Sequence, residues 1–471
     1  MFIGRKDDLK FLNTEYQREQ FSFVPIYGRR RVGKTTLIRK FIEDKKAIYF
    51  QAFESRAIIN LERLSHSVNS LIFGEIGSTM PAYKSIYDIL TVISDYVKEQ
   101  KCVFIIDEYP YLAKVIPEIS SIIQYFIDHE WKQNGNMKLI LCGSSMSFME
   151  RQVLGEKSPL YGRKTGQIRL SAFTFQETKM YFPHMKGEDV LAIYGITAGI
   201  PQYLEQVNPK ITPIENIREM FLSKNSSLFD EPQNLIKQEL NDPINYNSIL
   251  FAIASGKTKL NEISMATTIP TSNLSKFMEN LIDLDIVERK VPVNQPKSKK
   301  TIYGIKDDMF RFWYRFVGLN VPFIEIGMGE TILGTIKEQL NDFLGLVFEK
   351  VSKEYLLITM GTKEIPNIYV KLGNWWGTDP IQKKEEEIDI LGIDQSGECY
   401  LFVECKWKGK RTTVDILEKL IYRSNLFPLA KEKKLLVISK ADFTAEAVLF
   451  AESNHIKLLR YEEMFSNITL A

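Results

Sequence analysis

The first 170 residues alternate between short apolar runs and stretches in which apolar side chains recur every three or four positions. The runs fall near residues 23, 47, 103, 138 and 167, among them Phe23-Val-Pro-Ile-Tyr27, Cys102-Val-Phe-Ile-Ile106 and Lys138-Leu-Ile-Leu-Cys-Gly143. Near-continuous apolarity over so few residues marks strands buried on both faces of a parallel sheet. With helical stretches between them, these strands predict a doubly wound α/β sheet. Around Asn245 the pattern turns helical, over Tyr246–Ala254, Lys259–Ala266 and Thr271–Ile282, the last with Leu274, Phe277, Met278 and Leu281 as its buried stripe and Thr271 or Ser272 as its cap. Ile286–Val293 and Lys300–Ile305 then alternate like a hairpin around the basic tip Lys297–Lys300. After a linker near Val321–Glu330 comes a helix carrying Phe343, Val347 and Val351, then three strands, a helix over Val414–Asn425 and a strand over Lys434–Ile438. The division expected is therefore an α/β domain over 1–205, a helical lid or linker over 206–240, a helix-and-hairpin module over 241–320, a linker over 321–340 and a second α/β domain over 341–471.

Two punctuation points in this pattern carry chemistry. Directly after the first strand stands Gly28-Arg29-Arg30-Arg31-Val32-Gly33-Lys34-Thr35-Thr36, a complete G-x-x-x-x-G-K-[ST] loop leading into a helix. The glycines let successive N–H groups turn toward phosphate oxygens, Lys34 reaches the β and γ phosphates, and the Thr35 hydroxyl ligates Mg²⁺. ATP or ADP at a helix N-terminus follows. The third strand ends in Asp107-Glu108, where Asp107 would hold the Mg²⁺ shell and Glu108 would polarise the attacking water. Ser144, at the end of the next strand, either senses the γ-phosphate or, with Ser145, caps a helix.

Composition narrows the rest. The chain has 471 residues, with 61 Lys and Arg against 59 Asp and Glu, so a net charge of +2 gives no global footprint of a nucleic-acid binder. Its 4 cysteines lack C-x-x-C spacing and read as core residues in a reducing compartment, and its 4 histidines form no ligand cluster. No run is long enough to cross a bilayer, and the opening residues lack a signal-peptide core, so the expectation is a soluble cytoplasmic protein without a membrane partner.

The helix-and-hairpin module reads as a winged helix-turn-helix. Its recognition face is only weakly basic, Asn273 and Lys276 being offset by Glu279 and Asp283, which leaves phosphate contact to Arg289, Lys290 and the wing. DNA binding and intramolecular packing are both open. In the last domain Glu404-Cys405-Lys406 puts Glu404 and Lys406 on one strand face. With Asp389 on the preceding strand and Glu349 from the helix, Asp389 and Glu404 would hold one or two divalent metals while Lys406 orients or deprotonates water.

Taken together, Phe2-Ile3-Gly4-Arg5, the phosphate loop, Asp107-Glu-Tyr-Pro-Tyr-Leu112, Ser158-Pro-Leu-Tyr-Gly-Arg163 and Gly199-Ile-Pro201 resemble the archaeal-type ATPases, STAND-class relatives of the AAA+ proteins, over about the first 210 residues. The resemblance implies that Phe2, Ile3, Gly4 and Arg5 lie against the adenine and that Pro201 packs near the nucleotide. It implies also that Arg163 approaches the γ-phosphate, from the same chain or a neighbouring subunit of a homo-oligomer; a merely solvated loop arginine is the alternative. The C-terminal region, with Trp375-Trp376, is similar to the uncharacterised domain that accompanies such ATPases, and its order of elements resembles the PD-(D/E)XK, restriction-endonuclease-like fold. The reading is an ATP-hydrolysing switch controlling a metal-dependent nuclease-like module, with an ATP-dependent DNA-binding regulator or scaffold as the alternative.

Overall fold

A computed structural model describes residues 3–295 and 300–465, in two compact units. The first comprises residues 1–173 with Ile200–Tyr203, and the second comprises Thr174–Gly199 with the chain from Leu204 onward. Phe2 and the hairpin tip at 297–299 lie outside the described residues.

In the first unit the five expected strands form: β1 (Ser22–Tyr27), β2 (Ala47–Gln51), β3 (Cys102–Asp107), β4 (Met137–Gly143) and β5 (Ile168–Arg169). They pair in parallel in the order β2-β3-β4-β1-β5. Every residue of β1, β3 and β4 is buried, which is why those strands read as continuous apolar runs. Helices α1 (Lys6–Gln17), α2 (Lys34–Ile42), α3 (Ala57–Phe73), α4 (Ile86–Glu99), α5 (Tyr109–Val115) and α6 (Ile119–Phe126) connect or flank them. Leu64 and Val68 of α3 and Ile89 and Ile93 of α4 close one core with Phe104, Ile106 and Leu139. This is the α/β fold of a P-loop NTPase. The carboxyl ends of β1, β4 and β3 lie side by side, so the phosphate loop, Ser144 and Asp107-Glu108 meet at one sheet edge.

The second unit contains α7 (Pro243–Ala254), α8 (Leu260–Thr267) and α9 (Thr271–Asp283), then an antiparallel hairpin of β6 (Val287–Lys290) and β7 (Ile302–Ile305). Leu274, Met278 and Leu281 are buried as the spacing requires, and Phe277 lies edge-on to Tyr246 at 5.0 Å. Thr271 and Ser272 do not cap α9. Pro270 takes the N-cap position with an extended backbone, making Thr271 the first helical residue, and no side chain caps the end.

The stretch read as a linker over 321–340 is helical. A short helix, Val321–Glu325, precedes the 31-residue α10 (Gly329–Thr359), whose Leu333, Ile336, Phe343, Val347, Val351 and Tyr355 form one buried stripe running through the boundary. The second sheet follows with β8 (Tyr369–Thr378), β9 (Glu385–Asp394), β10 (Cys399–Lys406), α11 (Val414–Asn425), β11 (Glu432–Ser439), α12 (Ala445–Ser453) and β12 (Ile456–Arg460). Its order is β12-β11-β10-β9-β8, with β8, β9 and β10 antiparallel and β10, β11 and β12 parallel. All four cysteines are free and buried. Among the described residues no helix is long and apolar enough to cross a membrane.

Candidate functional site

The phosphate loop is shaped by its glycines. A Cβ on Gly28 would stand 2.1 Å from the Leu170 carbonyl oxygen, and Gly33 caps α2 with φ +92°, so neither position accepts an ordinary side chain without strain. Inside the loop, buried Lys34 donates from Nζ to the carbonyls of Gly28 (2.8 Å) and Arg29 (3.0 Å), a cradle closed on its own lysine. Burial pushes the Lys34 pKa down, against the opposing pull of Cys142, Glu108 and Asp107. Arg30 donates to the Tyr111 hydroxyl at 2.8 Å, and Arg31 lies over the Tyr203 ring at 5.6 Å, on the segment opened by Ile200-Pro201. Val32 is buried and Thr36 exposed.

Asp107 is buttressed from several sides. Its Oδ2 accepts from the Thr35 hydroxyl (3.0 Å) and the Tyr49 hydroxyl (2.7 Å), and its Oδ1 accepts from the Glu108 N–H (3.0 Å). Glu108 takes the left-handed conformation, φ 52°, a strain that persists at functional positions when the surroundings impose it. The surroundings here are Ser144, whose Oγ donates to Glu108 Oε1 at 2.5 Å and whose N–H donates to Oε2 at 3.3 Å. Ser144 therefore holds the glutamate, while Ser145 occupies the helix N-cap without a side-chain bond. Gly4 and Arg5 both have positive φ, and the Arg5 guanidinium donates to the carbonyls of Val32 (3.3 Å) and Ser171, placing the Ile3-Gly4-Arg5 box against the phosphate loop.

Arg163 is engaged elsewhere. Its Nε and Nη2 donate to Asp128 at 3.0 and 2.6 Å, and Nη1 donates to the Pro159 and Tyr161 carbonyls. None of these partners belongs to the phosphate loop or to the acidic end of β3. Arg163 and Lys132 hold the Asp128 carboxyl below its ordinary pKa, the Arg163 hydrogen bond leading.

The second unit gathers charge where β9 and β10 part. Their pairing ends at Ile390 and Val403, and Asp389 Oδ2 then accepts from the Cys405 N–H at 2.7 Å. Burial, then the neighbouring Glu404, pushes the Asp389 pKa up to about 7. Burial, then Asp389, pushes that of Glu349 on α10 up to about 8. Glu404 is nearly fully buried and committed on both oxygens, to Lys406 Nζ at 2.5 Å and Arg423 Nη1 at 2.8 Å. Arg423 Nε reaches on to Glu386 at 2.8 Å. Burial opposes the charge on Lys406, yet Glu404, its hydrogen-bond partner, and Asp389 hold its pKa above the lysine norm, which favours the ammonium.

Among the described residues no group of three or more His, Cys, Asp and Glu side chains is placed to hold a metal. Glu349, Asp389 and Glu404 thus interact electrostatically without forming one ligand set, because Glu404 is drawn toward its two cations. Tyr49, Arg423 and Asn374, whose Nδ2 donates to the Asp389 carbonyl at 2.7 Å, are absent from the sequence reading. Only Arg423 left a signal: with Leu417, Leu420 and Ser424 it falls on the buried stripe of α11, where an arginine needs a partner.

Fold and phosphate site together define a P-loop ATPase. Residues 2–207 match the model of an ATPase domain predominantly from Archaea, and residues 313–416 match one described as Archaea bacterial proteins of unknown function. An uncharacterized protein of Methanocaldococcus jannaschii is 35% identical over 441 residues, 93% of this chain and 95% of that one. The chain belongs to the same family, archaeal-type ATPases carrying this C-terminal domain. An uncharacterized ATP-binding protein of the same organism is 50% identical over 46 residues, 10% of this chain and 78% of that one. Among solved structures, the chain is similar to the Walker-type ATPase of Pyrococcus abyssi, at 20% identity and TM-score 0.49, covering 67% of this chain and 96% of that one. It is similar also to the ORC2 protein of Aeropyrum pernix in ADPNP-ADP complexes, at 13% identity and TM-score 0.41, covering 71% and 95%.

Proposed function

We propose that the protein is an ATP-hydrolysing switch whose N-terminal ATPase governs a metal-dependent, nuclease-like C-terminal module acting on nucleic acid. Gly28 to Thr36 cradle the phosphates, with Ile3, Gly4, Arg5 and Pro201 toward the base. The hydroxyl of Thr35 and the carboxylate of Asp107, 3.0 Å apart, are a hard-oxygen pair suited to Mg²⁺, which when bound offsets phosphate charge. Lys34 exchanges the Gly28 and Arg29 carbonyls for phosphate oxygens, and Glu108, released by Ser144, orients the water.

The observation that carries the second half of this reading is the grouping of Glu349, Asp389, Glu404 and Lys406 at the parted end of β9 and β10. Glu349 and Asp389 are oxygen donors raised in pKa by burial and like charge, the condition a divalent cation relieves. Lys406 then counters phosphate charge as an ammonium. We read the helix, three strands, helix and strand of this region as a restriction-endonuclease-like core, and α7 to α9 with the hairpin as a winged helix. One observation favours an inert, DNA-binding scaffold: both oxygens of Glu404 are already in ion pairs, as in a purely structural bridge.

Plasmid, single-stranded DNA and RNA incubated with the full chain in Mg²⁺ or Mn²⁺, with and without ATP, separate the two. Cleavage that falls at least 100-fold in folded Lys406→Ala is the expected result. An intact substrate under every condition leaves the scaffold.

A further inference from the structure

The β6–β7 hairpin is not free. From the segment after β6, the Val293 N–H donates to the Asn374 carbonyl on β8 at 3.1 Å, and Val293 packs where a Cβ on Gly373 would meet it at 3.5 Å. From the segment before β7, Lys300 Nζ reaches the Thr378 hydroxyl at 3.4 Å. Both arms thus run onto the edge strand of the C-terminal sheet. Asn374, which receives the hairpin through its carbonyl, holds the Asp389 carbonyl through its side chain at 2.7 Å. One residue ties hairpin and acid together.

On β6 the half-exposed Glu288 and Lys290 share the face opposite buried Val287 and pair at 3.1 Å. Lys290 acts electrostatically on Glu349, and both Glu288 and Lys290 act on Lys353, one turn further along α10. Lys353 is half-buried, and among the described residues no carboxylate lies within ion-pair distance of it. Lys353 thus feels Glu288 without an ion pair to it, which leaves its ammonium able to contact an outside anion. The charged groups that act on one another here are Glu288 and Lys290 from β6, Glu349 and Lys353 from α10, Glu387 and Asp389 from β9, Glu404 and Lys406 from β10, and Arg423 from α11.

We propose that the hairpin is the wall of the acidic cleft against which a nucleic-acid strand lies, with Lys290 and Lys353 contacting its phosphates beside Asp389 and Glu349. The proposal rests on the nuclease-like reading of the cleft for its substrate class. It makes the hairpin and the C-terminal sheet one binding surface. Because carboxylates stand beside these lysines, a divalent cation that offsets them should raise strand affinity.

The test is fluorescence anisotropy of labelled single-stranded and duplex DNA with the full chain in Ca²⁺, across a salt series. Lys290→Ala/Lys353→Ala should weaken binding about tenfold and reduce the slope of log K against log[salt] by about 2, one for each phosphate that no longer meets a lysine. Lys210→Ala, an exposed lysine in the Asn208–Ile211 turn, should change neither, and thermal melting verifies that the variants are folded. Unchanged affinity and slope in the double variant overturn the proposal, as does a wild type that binds no strand in Ca²⁺. Strand binding abolished in the double variant of a protein that never cleaves DNA keeps the surface and sinks the nuclease reading. Cleavage with unaltered strand affinity in that variant does the reverse.

Discussion

The two charged sites solve the same problem, buried carboxylates beside a cation, in opposite ways. Asp107 is satisfied by neutral donors, the hydroxyls of Thr35 and Tyr49 and a backbone N–H, while Lys34 rests on backbone carbonyls. Neither commits its charge to a permanent partner, so both are released at little cost when phosphate and metal arrive. In the C-terminal site Glu404 is locked between Lys406 and Arg423, and burial, then the neighbouring carboxylates, pushes Asp389 and Glu349 toward protonation. The first site is poised by neutral hydrogen bonds. The second is held by ion pairs and acquires surplus negative charge only as Asp389 and Glu349 ionise.

The largest effect that would sharpen this contrast is kinetic. If Glu108 is a reserve carboxylate held by Ser144, Glu108→Gln should lower ATP turnover about 10³-fold while nucleotide affinity stays within a few-fold, as expected for a group needed only in the transition state. Turnover and nucleotide titration on one preparation decide it. Unchanged turnover would remove Glu108 from the chemistry and make the Ser144 contact purely structural.

Next in size is a stability difference. Arg423→Leu strips the shared guanidinium from Glu404 and Glu386, whose side chains are 6% and 12% exposed, and should cost about 3–5 kcal/mol in denaturant unfolding. Tyr49→Phe removes only a neutral donor from Asp107 and should cost about 1 kcal/mol. Arg423→Leu/Glu386→Gln should recover part of the loss, since Glu404 keeps Lys406 and Glu386 is no longer a stranded charge. Equal costs for Arg423→Leu and Tyr49→Phe would erase the distinction between the sites.

The same contrast governs how much could be read from the chain. β1, β3 and β4 were legible because each is buried along its whole length, and the phosphate site was legible because its geometry is local: Gly28 to Thr35 shape their own loop. Residues 321–340 were not read as helical because Pro322, Gly327, Gly329 and Gly334 punctuate them, although Leu333, Ile336, Leu340 and Phe343 keep helical spacing. The commitment of Arg163 to Asp128 and the docking of Val293 on Asn374 join residues far apart in the chain, and no local pattern announces them. The Glu404-x-Lys406 pair was visible as a shared strand face. What its charges do was not, because that depends on Arg423 arriving from another helix.

The smallest expected effect tests the surplus charge itself. Glu349 titrates near 4.5 when unfolded and at about 8 in the folded chain, with burial the leading cause. Between those values the folded state binds more protons than the unfolded state, so stability falls as pH rises through that window, and the penalty is complete above about 8. Glu349→Gln cannot acquire the charge. It should therefore melt with the wild type near pH 5 and a few degrees above it near pH 9. Mn²⁺ or Ca²⁺ at pH 9 should raise the wild-type melting temperature and leave the variant nearly unmoved, because the cation replaces the proton on the carboxylate. A melting difference independent of pH would mean that Glu349 acts through its shape alone, and the cleft would then carry no excess charge for a cation or a phosphate strand to resolve.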